Sequence, residues 1–306
     1  MKYEQLISIV IPVYRSAPTL NQLYKEIDEA MHDVARYEII FVEDGSSDES
    51  WSVLENLKAA HPEKITAVKF SRNFGQHHAI ACGFGYAKGE LIVTMDDDLQ
   101  HPPSQIKLLV EQYVSTKADV VYGIYLQKQH PGWRKTSSYI VQSSSVIEGN
   151  ERYGSSFRLL KKNIADKIAT HLQSGFVFID EVLHWYTGNI SMVKVEHHAR
   201  RSGRSTYSGR KLIRFYFDIL INYSATPLKA MTWLGFYSSI FTFLLGLRFI
   251  YKKLAHGSVP GFTATIVAIL FSTSVLMMCM GILGQYVYKL YQLQNKRPQF
   301  YIEKVI

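Results

Sequence analysis

Leu91-Ile-Val-Thr-Met-Asp96-Asp97-Asp98-Leu99-Gln100-His101-Pro102-Pro103 joins an apolar run to a cluster of acidic side chains. The apolar run predicts a strand. The two prolines after the acidic cluster prevent this strand from continuing. Clustered carboxylates repel one another unless a cation neutralises them. Asp96 and Asp98 have the D-x-D spacing that can hold one hard divalent ion, and Mg²⁺ commonly shares its ligand shell with substrate phosphates. The stretch indicates a site for a metal-bound diphosphate, such as a nucleotide sugar, with a solvated acidic turn as the alternative.

Segments typical of strands and helices alternate on both sides of this stretch. The predicted strands are Leu6–Val13, Tyr37–Val42, Ile65–Phe70, Leu91–Met95, Asp119–Gly123, Ser155–Leu160 and Ile190–Glu196. The predicted helices are Thr19–His32, Ser50–Ala60, His77–Ala87, Gln105–Thr116, Lys161–His171 and Phe176–Trp185. This alternation predicts an α/β fold of Rossmann type, in which helices cover both faces of a mostly parallel sheet.

Three polar clusters lie at the carboxyl ends of predicted strands: Pro12-Val13-Tyr14, Glu43–Asp48 and Asp96–Gln100. Ligands of open α/β sheets bind outside these strand ends. The convergence of the three clusters therefore favours a ligand site over a solvated turn. The chain has neither a G-x-G-x-x-G after its first strand nor a G-x-x-x-x-G-K-[ST], which argues against a dinucleotide site or a P-loop.

Two apolar stretches follow, at about residues 230–249 and 263–286. Each has the ~20 residues that a helix needs to cross a bilayer. They predict a transmembrane hairpin, with two buried core helices as the alternative. Basic residues are frequent on both sides of the pair and sparse in its loop, which places both ends in the cytoplasm.

The segment between the predicted sheet domain and the hairpin is basic. His197-His-Ala-Arg-Arg-Ser-Gly-Arg-Ser-Thr-Tyr207 contains three arginines, whose forked donors suit phosphate oxygens. The alternative is a basic patch held against anionic lipid headgroups, and both readings can hold together. Residues 208–228 mix basic and apolar side chains in the manner of an interfacial amphipathic helix.

These patterns predict four parts in the 306-residue chain, which has a formal net charge of +8. Residues 1–207 form the sheet domain and residues 208–228 the amphipathic helix. Residues 229–290 hold the two membrane helices, and residues 291–306 form a cytoplasmic tail.

Four segments of the sheet domain resemble the inverting family 2 glycosyltransferases, which have a GT-A fold: Ile9–Tyr14, Val42–Asp48, Arg72–His77 and Asp96–Pro103. Within that family the chain resembles the polyprenyl-phosphate glycosyltransferases, including the undecaprenyl-phosphate formamido-arabinose transferases. The segments that carry this second resemblance are Gly75-Gln-His77, His197-His-Ala199, Thr226-Pro-Leu228, Met280–Tyr286 and Arg297-Pro298.

The resemblance implies a membrane-bound enzyme that moves a sugar from a nucleotide sugar, with a UDP-sugar favoured, to undecaprenyl phosphate. The product would be a lipid-linked sugar for a cell-envelope glycan or for lipopolysaccharide modification. It also implies the bacterial inner membrane as location, with several membrane passages and a cytoplasmic catalytic domain. A homo-oligomer, with a tetramer as the candidate, is implied too, and we expect no nucleic-acid partner.

Carried over by position, the resemblance implies roles for individual residues. The nucleotide would contact Pro12, Tyr14, Asp44, Asp96 and Asp97. Asp98 and Gln100 would hold Mg²⁺ or Mn²⁺. The acceptor phosphate would bind Arg158, Arg201, Arg204 and Ser205, and the catalytic set would be Asp96, Asp98, Arg201 and Arg204. Ser156 stands where many relatives carry an aspartate, so the identity of a catalytic base stays open.

Two other hypotheses stay open beside the lipid-linked transferase. One is a catalytically silent membrane scaffold that keeps the fold, and the other is a glycosyltransferase with a different acceptor. A processive polysaccharide synthase is disfavoured, because the chain has no Q-x-x-R-W motif.

Overall fold

The structure is a computed structural model and describes residues 3–125, 155–171, 178–196, 226–256, 262–294 and 299–306. The chain forms two compact units. The first comprises Met1–Thr206 together with Lys296–Ile306, and the second comprises Tyr207–Asn295. Residues that follow the second unit in the chain therefore belong to the first.

A single sheet organises the first unit. Its strands are β1 (Tyr3–Val13), β2 (Ala35–Glu43), β3 (Ile65–Phe70), β4 (Leu91–Thr94), β5 (Val120–Tyr125), β6 (Arg158–Lys161), β7 (Ile190–Val195) and β8 (Ile302–Val305). The strand order is β7-β5-β6-β4-β1-β2-β3-β8. Strands β3, β2, β1 and β4 run parallel, as do β5 and β7, whereas β6 and β8 are antiparallel to their neighbours. The predicted α/β fold with a mostly parallel sheet is confirmed.

Helices cover both faces of this sheet. They are α1 (Ala17–Met31), α2 (Ser50–Ala60), α3 (Gln76–Tyr86), α4 (Ile106–Thr116), α5 (Lys162–His171) and α6 (Ile179–Tyr186). Side chains alternate between the faces along each strand. Ile9 and Ile11 thus pack with α1, α2 and α4 in one core cluster, while Val10 packs with α3, α5 and α6 in the other. Because both faces are buried, the central strands are apolar at nearly every position.

The closing segment, residues 299–306, completes the sheet at the outer edge of β3. Ala67 and Ile306 exchange two backbone hydrogen bonds of 2.9 Å, and the Ser71 N–H donates to the Tyr301 carbonyl at 3.1 Å. The sequence patterns predicted a cytoplasmic tail here. The alternation in Phe300-Tyr-Ile-Glu-Lys-Val305 is a strand signal, but it is short, and only the exposed edge of β3 gives it a partner.

The second unit contains two long helices, α7 (Thr226–His256) and α8 (Phe262–Gln294). Within the described residues, one segment, Phe271–Tyr288 of α8, is long and apolar enough to span a membrane. The predicted span at 230–249 lies in α7, and some of the side chains there lie outside the description. The transmembrane hairpin therefore stays a prediction.

Candidate active site

The carboxyl ends of β4, β1 and β2 lie side by side, because β1 is the middle strand of the three. Two hydrogen bonds fix these ends to each other. The Asp44 N–H donates to the Val13 carbonyl at 2.9 Å, and the Tyr14 N–H donates to Oδ2 of Asp97 at 3.1 Å. The three polar clusters predicted at strand ends thus meet at one edge of the sheet.

Asp97 connects the acidic triplet to the loop that follows β1. Besides its carboxylate contact with Tyr14, its backbone carbonyl accepts a hydrogen bond of 2.9 Å from Thr19 Oγ1. Burial raises the pKa of Asp97 to about 7, against the opposing effect of hydrogen bonds from Ser16 and Tyr14. The neighbouring carboxylates of Asp96 and Asp98 contribute to this raised pKa, so an added positive charge would be stabilised here.

Asp44 holds the loop between β3 and α3. Its Oδ1 accepts the Phe74 N–H at 2.6 Å and its Oδ2 accepts the Gly75 N–H at 2.8 Å. Burial raises the pKa of Asp44 to about 6, although these two donors oppose the change. Next to it, Gly45 has φ +61°, and a Cβ there would lie 2.2 Å from the Arg72 carbonyl carbon, so the close approach of the two loops requires glycine.

Asp96 accepts hydrogen bonds from two side chains that sequence analysis did not assign to the site. Gln76 Nε2 donates to Oδ1 at 2.5 Å, and Ser156 Oγ donates to Oδ2 at 2.7 Å. The bridging segment, residues 74–76, therefore contacts both Asp44 and Asp96. Gln76 lies inside the family-like segment Arg72–His77 and follows a glycine at a helix start, which is a signal that could have found it.

Asp98 and Gln100 flank a tight turn. Oδ1 of Asp98 accepts the Gln100 N–H at 3.1 Å, and Leu99 between them has φ +58° with a buried side chain. Within the described part of the chain, no group of three or more His, Cys, Asp or Glu side chains is arranged to hold a metal ion. The oxygen donors of Asp98 and Gln100 suit Mg²⁺ or Mn²⁺ only if water or diphosphate oxygens supply the other ligands, which is common for Mg²⁺.

Arg158 is buried beside the site and is not part of its surface. Its side chain is 1% exposed and forms an ion pair with Asp180, which also accepts a hydrogen bond of 3.0 Å from the Tyr122 hydroxyl. Arg158 Nε donates to Thr94 Oγ1 at 3.1 Å, and that hydroxyl donates to the Ser156 carbonyl at 2.6 Å. This placement favours a structural role over contact with an acceptor phosphate.

The remaining predicted residues differ in how far the structure describes them. Pro12 is buried within β1, and Tyr14 is exposed, with the Arg15 guanidinium 5.2 Å from its ring centre. Arg201, Arg204 and Ser205 lie outside the described residues. The functional assignments of all these residues stay predictions.

Comparison with known proteins identifies the family to which this chain belongs. The family described as "Glycosyl transferase family 2" matches residues 8–185. The chain belongs to glycosyl transferase family 2. It is a glycosyltransferase, and its four family-like segments lie around the strand ends described above.

Two transferases from Pseudomonas species are similar to this chain over nearly its full length. The undecaprenyl-phosphate 4-deoxy-4-formamido-L-arabinose transferase of Pseudomonas aeruginosa (strain LESB58) is 32% identical over 98% of this chain and 90% of that protein. The protein of the same name from Pseudomonas fluorescens (strain SBW25) is 33% identical, and the match covers 98% of this chain and 89% of that protein.

A solved structure supports the family 2 fold. Glucosyl-3-phosphoglycerate synthase from Mycobacterium tuberculosis, in complex with Mn²⁺, uridine-diphosphate-glucose and phosphoglyceric acid, superimposes with a TM-score of 0.50 and 16% identity. The match covers 71% of this chain and 79% of that one. At this level of identity the likeness concerns the fold alone.

Proposed function

We propose that this family 2 enzyme transfers a sugar from a nucleoside diphosphate sugar to undecaprenyl phosphate, with inversion at the anomeric carbon. The observation that carries the proposal is the extent of the similarity to the undecaprenyl-phosphate transferases. It covers 98% of this chain, including the basic segment and both long helices, which lie outside the family 2 match at residues 8–185. The lipid-linked product would serve a cell-envelope glycan or lipopolysaccharide modification.

The donor would bind at the carboxyl ends of β1, β2 and β4. Tyr14 is exposed there, beside Asp44, Asp96 and Asp97, and a UDP-sugar is the favoured donor. Asp98 and Gln100 would hold Mg²⁺ or Mn²⁺ on the turn after the acidic triplet. When bound, the cation would act as a Lewis acid that stabilises charge on the diphosphate.

The acceptor phosphate would bind Arg201, Arg204 and Ser205. A phosphomonoester has its second pKa near about 6, so one of its oxygens is already ionised at neutral pH and needs no strong base. That oxygen forms a bond to the anomeric carbon while the bond from this carbon to the diphosphate breaks, and the nucleoside diphosphate leaves with the electron pair. Positioning and electrostatic stabilisation would then supply most of the rate.

The path of the chain supports an even number of membrane crossings. Residues before and after the second unit both belong to the unit that contains the sheet. A chain that leaves a folded domain and returns to the same sheet must cross a bilayer an even number of times or not at all. Because α8 contains an apolar segment of spanning length, we propose that α7 and α8 both cross, with the sheet unit in the cytoplasm.

The test uses the full chain in detergent, undecaprenyl phosphate, Mg²⁺ or Mn²⁺, and a panel of nucleotide sugars. Mass spectrometry should detect a sugar-phosphate-lipid that disappears with EDTA. Asp98→Asn should lower the rate by about 10³-fold, because the metal loses a charged ligand. Asp33→Asn removes a carboxylate that is 93% exposed and serves as the matched control with full activity.

Two results would contradict the proposal. Nucleotide binding without product from any donor would favour the silent scaffold. A product formed only with a different acceptor would keep the assignment as a glycosyltransferase but exclude undecaprenyl phosphate as the acceptor.

A further inference from the structure

The closing segment is held to the sheet by more than backbone pairing. Lys304 Nζ lies 2.7 Å from a Glu55 carboxylate oxygen, and Lys69 Nζ lies 3.2 Å from Glu303. Both ammonium groups also lie within 6 Å of the Trp51 ring centre, at 5.8 Å for Lys304 and 5.9 Å for Lys69. Surface ion pairs contribute little individually, but here they join the closing segment, in which Ile306 packs against one core and Phe300 and Ile302 pack against the other.

Three aromatic rings connect this segment to the bridging segment. The Phe300 ring stacks on the Phe70 ring with centroids 5.0 Å apart and an angle of 14°. Phe70 is fully buried and meets the Phe74 ring edge-on at 5.6 Å. Stacked and edge-on pairs stabilise a particular mutual orientation beyond the apolar area that they bury.

The last ring of this series belongs to the bridging segment itself. The Phe74 and Gly75 N–H groups bind the two oxygens of Asp44, and the next side chain, Gln76, binds Asp96. A shift of Phe74 would therefore change the surroundings of both carboxylates at once. Interiors are close-packed, so removing one ring lets its neighbours move into the space.

We propose that Phe300 is a positioning residue for the donor site, which it acts on through Phe70 and Phe74. The proposal rests on the donor site of the proposed function. It means that a residue located after both long helices in the chain determines how well the strand ends bind a nucleoside diphosphate. Phe300 does not itself contact Asp44 or Asp96.

The proposed role of Phe300 is tested by isothermal titration calorimetry of the full chain. UDP and GDP are titrated separately, each with Mn²⁺. Phe300→Ala should weaken nucleotide binding on the order of tenfold, because small displacements of ligand-positioning groups are costly. Phe300→Tyr keeps the stacked ring and should restore binding. Tyr301→Ala is the matched control, since that neighbouring ring is 65% exposed and should not affect binding.

A merely destabilising effect would lower the fraction of folded protein, and hence the binding stoichiometry, without changing the Kd. Steady-state rates give a second readout: the donor KM should rise while kcat and the acceptor KM change little. Hydrogen exchange of the Phe74 and Gly75 amides should accelerate in Phe300→Ala and not in Tyr301→Ala. If Phe300→Ala does not fold, Phe300→Leu keeps much of the apolar volume and tests the ring alone.

The outcomes separate the two proposals. An unchanged Kd and unchanged amide exchange in Phe300→Ala, or in Phe300→Leu if only that variant folds, would overturn the role of Phe300 and leave the proposed function intact. A wild-type chain that binds neither nucleotide would overturn the donor-site assignment and this inference with it.

Discussion

Two groups of carboxylates at the same sheet edge have different partners. Asp44 and Asp97 accept hydrogen bonds from backbone N–H groups of neighbouring loops, and Asp97 also accepts one from Ser16. Asp96 accepts them from the side chains of Gln76 and Ser156. A side chain can rotate away when a ligand arrives, whereas a backbone N–H moves only with its loop. We therefore expect Asp44 and Asp97 to maintain the shape of the site, and Asp96 to exchange partners more easily when a ligand binds.

Among the substitutions that test this contrast, Asp96→Asn should have the largest effect on kcat. The amide keeps the shape of the side chain but lacks the charge, so we expect kcat to fall by about 10²–10³-fold. Thermal stability should change little, because neither Gln76 nor Ser156 holds a loop through Asp96 alone. Product formation and the melting temperature are measured side by side, with Asp33→Asn as control. Near-normal kcat would show that Asp96 has no catalytic role.

Ser156→Ala should have a smaller effect on the same carboxylate. It removes one hydrogen bond, worth about 1 kcal/mol, and should lower kcat/KM by about fivefold. Ser156→Thr retains a hydroxyl and should recover most of that loss. Steady-state kinetics on the three forms provides the measurement, and equal values for alanine and serine would exclude the hydroxyl from the mechanism.

A third effect concerns the dependence of stability on pH at Asp44. Its pKa is about 6 in the folded chain against 3.8 as the ordinary value, so the folded state binds more protons between these values. Stability contributed by Asp44 should therefore fall as pH rises from about 4 to 6. The asparagine of Asp44→Asn does not titrate. In the absence of nucleotide, the melting temperature of this variant should therefore increase relative to that of the wild type as the pH rises over this range. A constant difference between the two would contradict the raised pKa.

Local patterns were sufficient to predict the elements of the sheet unit up to β7. The alternation of apolar strands with helical spacing located β1 to β7 and α1 to α6, because both faces of the sheet are buried and every element must carry apolar residues. The position of the acidic triplet after β4 followed from the same pattern. Residues 126–154 and 197–225, which include Arg201 and Arg204, lie outside the described residues.

The contacts of individual side chains could not be predicted in the same way. The resemblance implied a phosphate contact for Arg158, whereas its partner in the structure, Asp180, is brought to it by the packing of α6 on the sheet. Ser156 and Gln76 meet at Asp96 from segments 80 residues apart, and no periodicity encodes such a meeting. Strand β8 is too short for a pattern to identify without knowledge that the edge of β3 is exposed.

The position of β8 in the chain has a consequence for biosynthesis. The ribosome makes β1 to β7 first, then α7 and α8, and only then the residues that pair with β3. Until that point the outer edge of β3 has unpaired backbone groups, which is the kind of edge that recruits other chains. The sheet is therefore completed only after both long helices have left the ribosome, and a nascent chain arrested within α8 should be more prone to aggregation than the finished enzyme.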